Sequence, residues 1–144
     1  MGKQVKVRFN LNGNPVDGET LWAEDLGNNL YRLLNIPYHA MGYAENDIVR
    51  CVQKADSIEV VGINKHSGNG TVRIMFNDSN SSKAQAVLNE VVSVGCTYER
   101  ASSKLVAVTI PPNLEIPFSQ MANYLNSISN DILTGWEVGK ELIR

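Results

Sequence analysis

Apolar and polar positions alternate from the start of the chain. Val5, Val7, Phe9 and Leu11 are separated by Lys6, Arg8 and Asn10, the two-residue period of a half-buried strand. The stretch NGNPVDGE supplies Gly13, Pro15 and Gly18 for a turn. TLWAEDL and LYRLLNI then flank Gly27, Asn28 and Asn29, residues that tolerate positive φ, and this combination predicts a hairpin. Pro37 and Gly42 punctuate the chain again, and DIVRCVQ and SIEVVGI form two more short strands around a turn at 54–56. Five short strands at roughly ten-residue spacing, without helical period, predict a small β-barrel or rolled antiparallel sheet over residues 3–65.

After Gly70 the period changes. Val72, Ile74 and Phe76 alternate as in a strand, and the polar run NDSNSSK then opens a stretch with Ala84, Val87, Leu88, Val91 and Val94 on one helical stripe. Ser82 with Gln85 three residues on has the form of a capping box, and Gly95 sits where a left-handed helix cap belongs. CTYERASSKLVAVTI gives two strands around Ser102 and Ser103, ended by Pro111 and Pro112. Pro117 introduces a second helix with Phe118, Met121, Ala122, Leu125 and Ile128 at three- and four-residue spacing, and GWEVGKEL is a last strand. The order β-α-β-β-α-β is the split βαβ, ferredoxin-like pattern. The expected fold class is therefore α+β: a barrel-like domain over residues 1–68 and a ferredoxin-like domain over 69–144, packed together as one compact unit.

Composition narrows the classes of partner. The 144 residues are 43% hydrophobic, and 13 Lys plus Arg face 15 Asp plus Glu spread evenly along the chain. Neither a basic footprint for nucleic acid nor an acidic tail follows. No apolar run approaches the ~18 residues of a membrane span, and position 6 is Lys where a myristoylation signal needs Ser or Thr, so a cytoplasmic protein without membrane partners is expected. Cys51 and Cys96 lie inside apolar runs and read as buried free thiols, too few for a metal site. No metal or cofactor is expected.

His66 beside Ser67 invites a catalytic reading, but neighbours on an extended chain point to opposite sides, so the imidazole cannot easily take the proton of that hydroxyl. SGNG leads into a strand, lacks the spacing of a phosphate loop, and fits a hinge between folding units. The carboxylates Glu24, Asp25, Glu45 and Asp47 lie near strand ends, where solvated carboxylates are the norm. Trp22 and Tyr31 fall on opposite arms of the first hairpin and are expected to form a cross-strand aromatic pair; exposed, Trp22 would instead be an anchor for a protein partner. TVRIMF lacks the aromatic and basic content of an RNA-recognition strand, which excludes nucleic acid as a favoured partner.

Trp22-Ala23-Glu24, Tyr31-Arg32-Leu33 with Asn35 and Pro37, Gly42 with Asp47, Val49 and Arg50, and Ser67-Gly68 through Thr71 and Arg73 together resemble a bacterial domain-of-unknown-function family, number 4265. The resemblance covers roughly residues 4–140 and is strongest before Phe76. Members often carry Gly-Asp before the last barrel strand and a His within the Ser-Gly segment, where this chain has Asn46-Asp47 and Asn69. The family implies a fold and no activity. Two functions are carried forward. The first is a non-catalytic binding module, an immunity-type protein that occludes a cognate toxin enzyme through Trp22, Glu24, Glu45 and Asp47 and exists as a monomer or weak dimer. The second is a small-ligand protein or hydrolase-like enzyme in which His66, Ser67 and Arg73 converge in a cleft between the two units.

Overall fold

The computed structural model describes residues 2–13, 16–78 and 80–143; Pro15 of the expected first turn lies outside them. Strands β1 (Gln4–Asn10), β2 (Gly18–Gly27), β3 (Leu30–Leu33), β4 (Ile48–Gln53) and β5 (Ile58–Lys65) form a closed barrel. Consecutive strands pair antiparallel, but the closing seam between β1 and β5 is parallel, at Arg8 and Glu59. Closure leaves the barrel without open edges. Asn10 fastens the seam by donating its side-chain amide to Glu59, 3.0 Å away. Val7, Phe9, Leu21, Ala23, Tyr31, Leu33, Val49 and Cys51 fill the interior, as the alternation requires.

The first hairpin departs from expectation in one respect. Its turn uses positive φ at Gly27, Asn28 and Asn29, and a bulge before Gly27 sets a register in which Ala23 faces Leu33 and Asp25 faces Tyr31. Tyr31 therefore points into the barrel while Trp22 points out, and the expected aromatic pair does not form. In this register Tyr31 lies opposite Asp25, three residues along β2 from Trp22, so the two rings are neither opposite one another nor on one face.

The second unit runs β6 (Gly70–Phe76), α1 (Ser82–Ser93), β7 (Thr97–Arg100), β8 (Leu105–Ile110), α2 (Phe118–Ile128) and β9 (Leu133–Lys140). Its four strands form an antiparallel sheet in the order β7-β8-β6-β9. Val72, Ile74, Phe76, Val106, Val108 and Ile110 pack with Ala84, Val87, Leu88 and Val91 of α1 and Met121 and Leu125 of α2 in a core separate from the barrel's. Helix α1 is capped by Ser81, whose hydroxyl accepts from Ala84 N at 3.1 Å, so the cap lies one residue before the expected Ser82 and the Ser82–Gln85 box does not form. Gly95, at φ +110°, ends the helix as the sequence suggests.

The opposite face of the sheet is polar, and the segment 34–47 between β3 and β4 lies on it. Thr71 Oγ1 donates to Tyr43 O (2.9 Å), Thr109 Oγ1 donates to Glu45 (3.2 Å), Ile36 N donates to Glu99 (3.3 Å), and Gly42 N donates to Gly139 O (2.8 Å). Strand β6 is thus buried on both faces except at Met75. Between β5 and β6, Gly68 at φ +96° reverses the chain, the role expected of the SGNG segment.

Candidate functional site

Three places bring together the residues that could carry function. The first is the outer wall of the barrel. Trp22 is 46% exposed on β2, with Lys6 of β1 5.2 Å from its ring centroid and its backbone N–H held by Asn35 Oδ1 at 2.8 Å. Glu24, two residues on, pairs with Arg32 of β3 and accepts from Gly2 N at 2.9 Å. Asn35 fixes the Trp22 backbone and Lys6 lies over the ring, which otherwise stays part-exposed.

The second place is a node at the top of the interface. Asp47, expected at the surface, is wholly buried: its Oδ2 takes the ammonium of Lys140 (2.6 Å) and Ala44 N (2.9 Å), and its Oδ1 takes Ser67 N (2.8 Å). The expectation that it anchors a partner is corrected, because a carboxylate with three donors and no exposed surface is spent on the fold. Lys140 Nζ also lies 2.8 Å from His66 Nδ1, a contact whose donor and acceptor are set by the imidazole tautomer. Ser67 donates its hydroxyl to Glu45 O (2.9 Å) and accepts from Asn69 N (3.1 Å), which is loop bonding with no imidazole in it. Glu45 is half-buried beneath Ser67 and Thr109. Burial raises its carboxyl pKa, the Thr109 hydrogen bond opposes that shift, and Glu99 adds to it.

The third place is a groove of about 330 Å³ lined by Tyr38, His39, Arg73, Met75, Leu105, Gly135, Trp136 and Glu137. Arg73 is 4% exposed. Its Nη2 donates to Ala40 O at 2.6 Å, while Nη1 meets Met41 Sδ at 2.9 Å and Glu137 at 3.5 Å. Burial pushes the guanidinium below its usual range, and Glu137 and Glu19 oppose the shift. Glu19 itself accepts the backbone N–H groups of Tyr38, His39 and Ala40, and so shapes the loop that supplies Ala40 O. His66 and Ser67 are absent from this lining, so the convergence of His66, Ser67 and Arg73 in one cleft is corrected: β6 carries Arg73 toward the groove, while the loop before it carries the other two to Asp47 and Glu45.

The sequence reading missed Lys140, Glu19 and Glu137. Plain alternation along β9 would put Lys140 on the same face as Trp136 and Val138. A bulge at Gly139, between the pairs Thr71–Lys140 and Val72–Val138, turns it to the opposite face. A side chain at 139 would also collide with Arg73, since a Cβ there would lie 2.6 Å from Nη1. A glycine inside an alternating strand was the available signal. Cys51 and Cys96 are buried thiols, each pushed up to about 12 by desolvation, and offer no nucleophile.

A closed barrel joined through polar contacts to a helix-covered sheet, with one part-exposed indole outside and one buried guanidinium at the join, defines the class: a mixed α+β protein of two sheets. The model of the family described as "Domain of unknown function (DUF4265)" matches residues 19–136, and the chain belongs to that family. A solved structure titled "Novel crystal structure of a hypothetical protein from Neisseria gonorrhoeae" is similar over 100% of this chain and 98% of that one, with a TM-score of 0.77 at 21% identity, a likeness of fold alone. No curated protein matches.

Proposed function

We propose that the protein is a non-catalytic binding module of the immunity type, which occludes a cognate toxin in the cytoplasm as a monomer or weak dimer. The observation that carries the reading is Trp22: a large aromatic 46% exposed on a rigid barrel wall, held in place by Lys6 and Asn35, has the form of an interface anchor. Glu24 and Arg32 beside it supply a mixed-charge rim. The acidic contribution is smaller than the sequence suggests, because Asp47 is committed to Lys140 and Glu45 to the interface. The bonds already made by His66 and Ser67 favour this reading over a hydrolase. In the second unit, the chain order β6-α1-β7-β8-α2-β9 with sheet order β7-β8-β6-β9 supports the ferredoxin-like description.

The test is genetic and physical. Deletion of the gene in its host should be toxic only while the neighbouring gene is intact, and the wild-type chain should rescue where Trp22→Ala does not. Trp22→Ala should keep its fold, because a surface truncation away from special features shifts stability by roughly 0.5 kcal/mol and loss of the Lys6 contact adds about as much. Full rescue by Trp22→Ala, or deletion without any phenotype, would remove the proposal.

A further inference from the structure

Arg73 is the most heavily buried cation of the groove, and its bonding is incomplete. A guanidinium offers five N–H donors. Among the described residues, Nη2 has one short bond to a carbonyl, Nε is buried with no partner, and Nη1 meets only a thioether sulfur and the distant edge of the Glu137 carboxylate. A thioether is a weak acceptor, and Met41, which supplies it, is 57% exposed. The Glu137 side chain is likewise exposed, at 61%. Buried charges in folded proteins are ordinarily paired and fully hydrogen-bonded; this one is under-satisfied at Nε and weakly served at Nη1. The opening beside it is lined mostly by apolar surface from Tyr38, Met75, Leu105 and Trp136.

We propose that this groove binds a small carboxylate, whose acid group takes Arg73 Nη1 from Met41 and Glu137 while its apolar body lies along Tyr38, Met75 and Leu105. Glu19 and Glu137 both act on the guanidinium, so the ligand's carboxylate has to displace the exposed Glu137, and each further negative charge adds repulsion; a monoanion is therefore favoured over a dianion. A volume of about 330 Å³ suits a ligand of one ring or a short branched chain. The inference goes beyond the binding module and uses none of the Trp22 wall, so either can fail alone.

The experiment is a nuclear magnetic resonance titration of the full chain with benzoate, benzamide and inorganic phosphate at constant ionic strength, following the Met41 and Met75 methyl groups and the Arg73 Nε–H. Benzoate should shift all three saturably, with Kd on the order of 1 mM for so small a ligand. Benzamide, which is neutral, and phosphate, which is partly a dianion at neutral pH and has no apolar body, should bind roughly tenfold or more weakly. Glu137→Gln removes the competing carboxylate at an exposed position and should tighten benzoate binding by roughly 3-fold or more. Arg73→Lys should lose it, and the Glu137 variant keeps the test decisive if Arg73→Lys fails to fold. No saturable benzoate shift, equal binding of benzamide, preference for phosphate, or an unchanged affinity in Glu137→Gln would each overturn the proposal.

Discussion

The two ends of the interface between the barrel and the sheet hold one buried cation each, on the same sheet face, and treat them differently. At the β9 end Lys140, 7% exposed, meets the wholly buried Asp47 at 2.6 Å, and Asp47 is further satisfied by two backbone N–H groups. At the groove end Arg73 has one short bond to a carbonyl and otherwise a sulfur and a distant carboxylate. The first arrangement is closed and belongs to the fold. The second is open at one side, and its incompletely bonded guanidinium is where we place the proposed carboxylate. The contrast separates structural burial of charge from burial that leaves capacity to bind.

The largest expected effect lies at the closed end. Asp47→Ala leaves Lys140 buried without a counter-charge and orphans Ala44 N and Ser67 N, which should cost about 3–5 kcal/mol in chemical denaturation. Cys51 in the barrel and Cys96 in the second core provide a local readout of the same change. In the wild type both thiols, pushed up to about 12 by burial, should resist alkylation at neutral pH until the chain opens. In Asp47→Ala the two should label at different rates if the node is what makes the two cores open together; equal rates would show that the remaining contacts suffice. Adding Lys140→Met to Asp47→Ala should return roughly 0.5–3 kcal/mol as coupling energy, and simple additivity would mean the ion pair is not the reason for the loss.

At the open end Arg73→Met should be far milder, about 1 kcal/mol in the same denaturation, because few good bonds are lost and an apolar side chain still fills the place of the arginine stem. A loss as large as that of Asp47→Ala would erase the distinction between the two ends. The smallest effect concerns Glu45, between them. Its folded carboxyl pKa is raised by burial, so the folded state holds its proton more tightly than the unfolded one. Stability should therefore fall as pH rises from the ordinary carboxylate value through the raised one. Glu45→Gln, which keeps an acceptor for Thr109, should flatten the stability profile in that window and leave the protein slightly more stable at neutral pH. A steeper profile in the variant would reverse the sign of the argument.

Most of the secondary structure was legible because each unit has one face in a core. The two-residue alternation of β1 and β6 and the three- and four-residue stripes of α1 and α2 follow from that single requirement. The turn at Gly27, Asn28 and Asn29 and the helix stop at Gly95 were legible because positive φ restricts residue type. The candidate site was legible in part. Trp22 could be singled out as an anchor if exposed, but that exposure depended on the register of the hairpin, which sets Tyr31 opposite Asp25. Arg73 was recognised as a cleft residue, yet grouped with His66 and Ser67, which the loop takes elsewhere. Asp47 read as a surface carboxylate because nothing in its neighbourhood names Lys140, 93 residues away.

Local pattern alone determined that the chain makes a strand-only unit followed by a βαββαβ unit, because periodicity and turn chemistry act over a few residues. Which polar groups would be buried, and against what, was decided by the docking of the 34–47 segment on the sheet and by the bulge at Gly139. Those contacts join residues far apart in the chain, and the free energy of a buried charge depends on partners that only the assembled structure brings within reach.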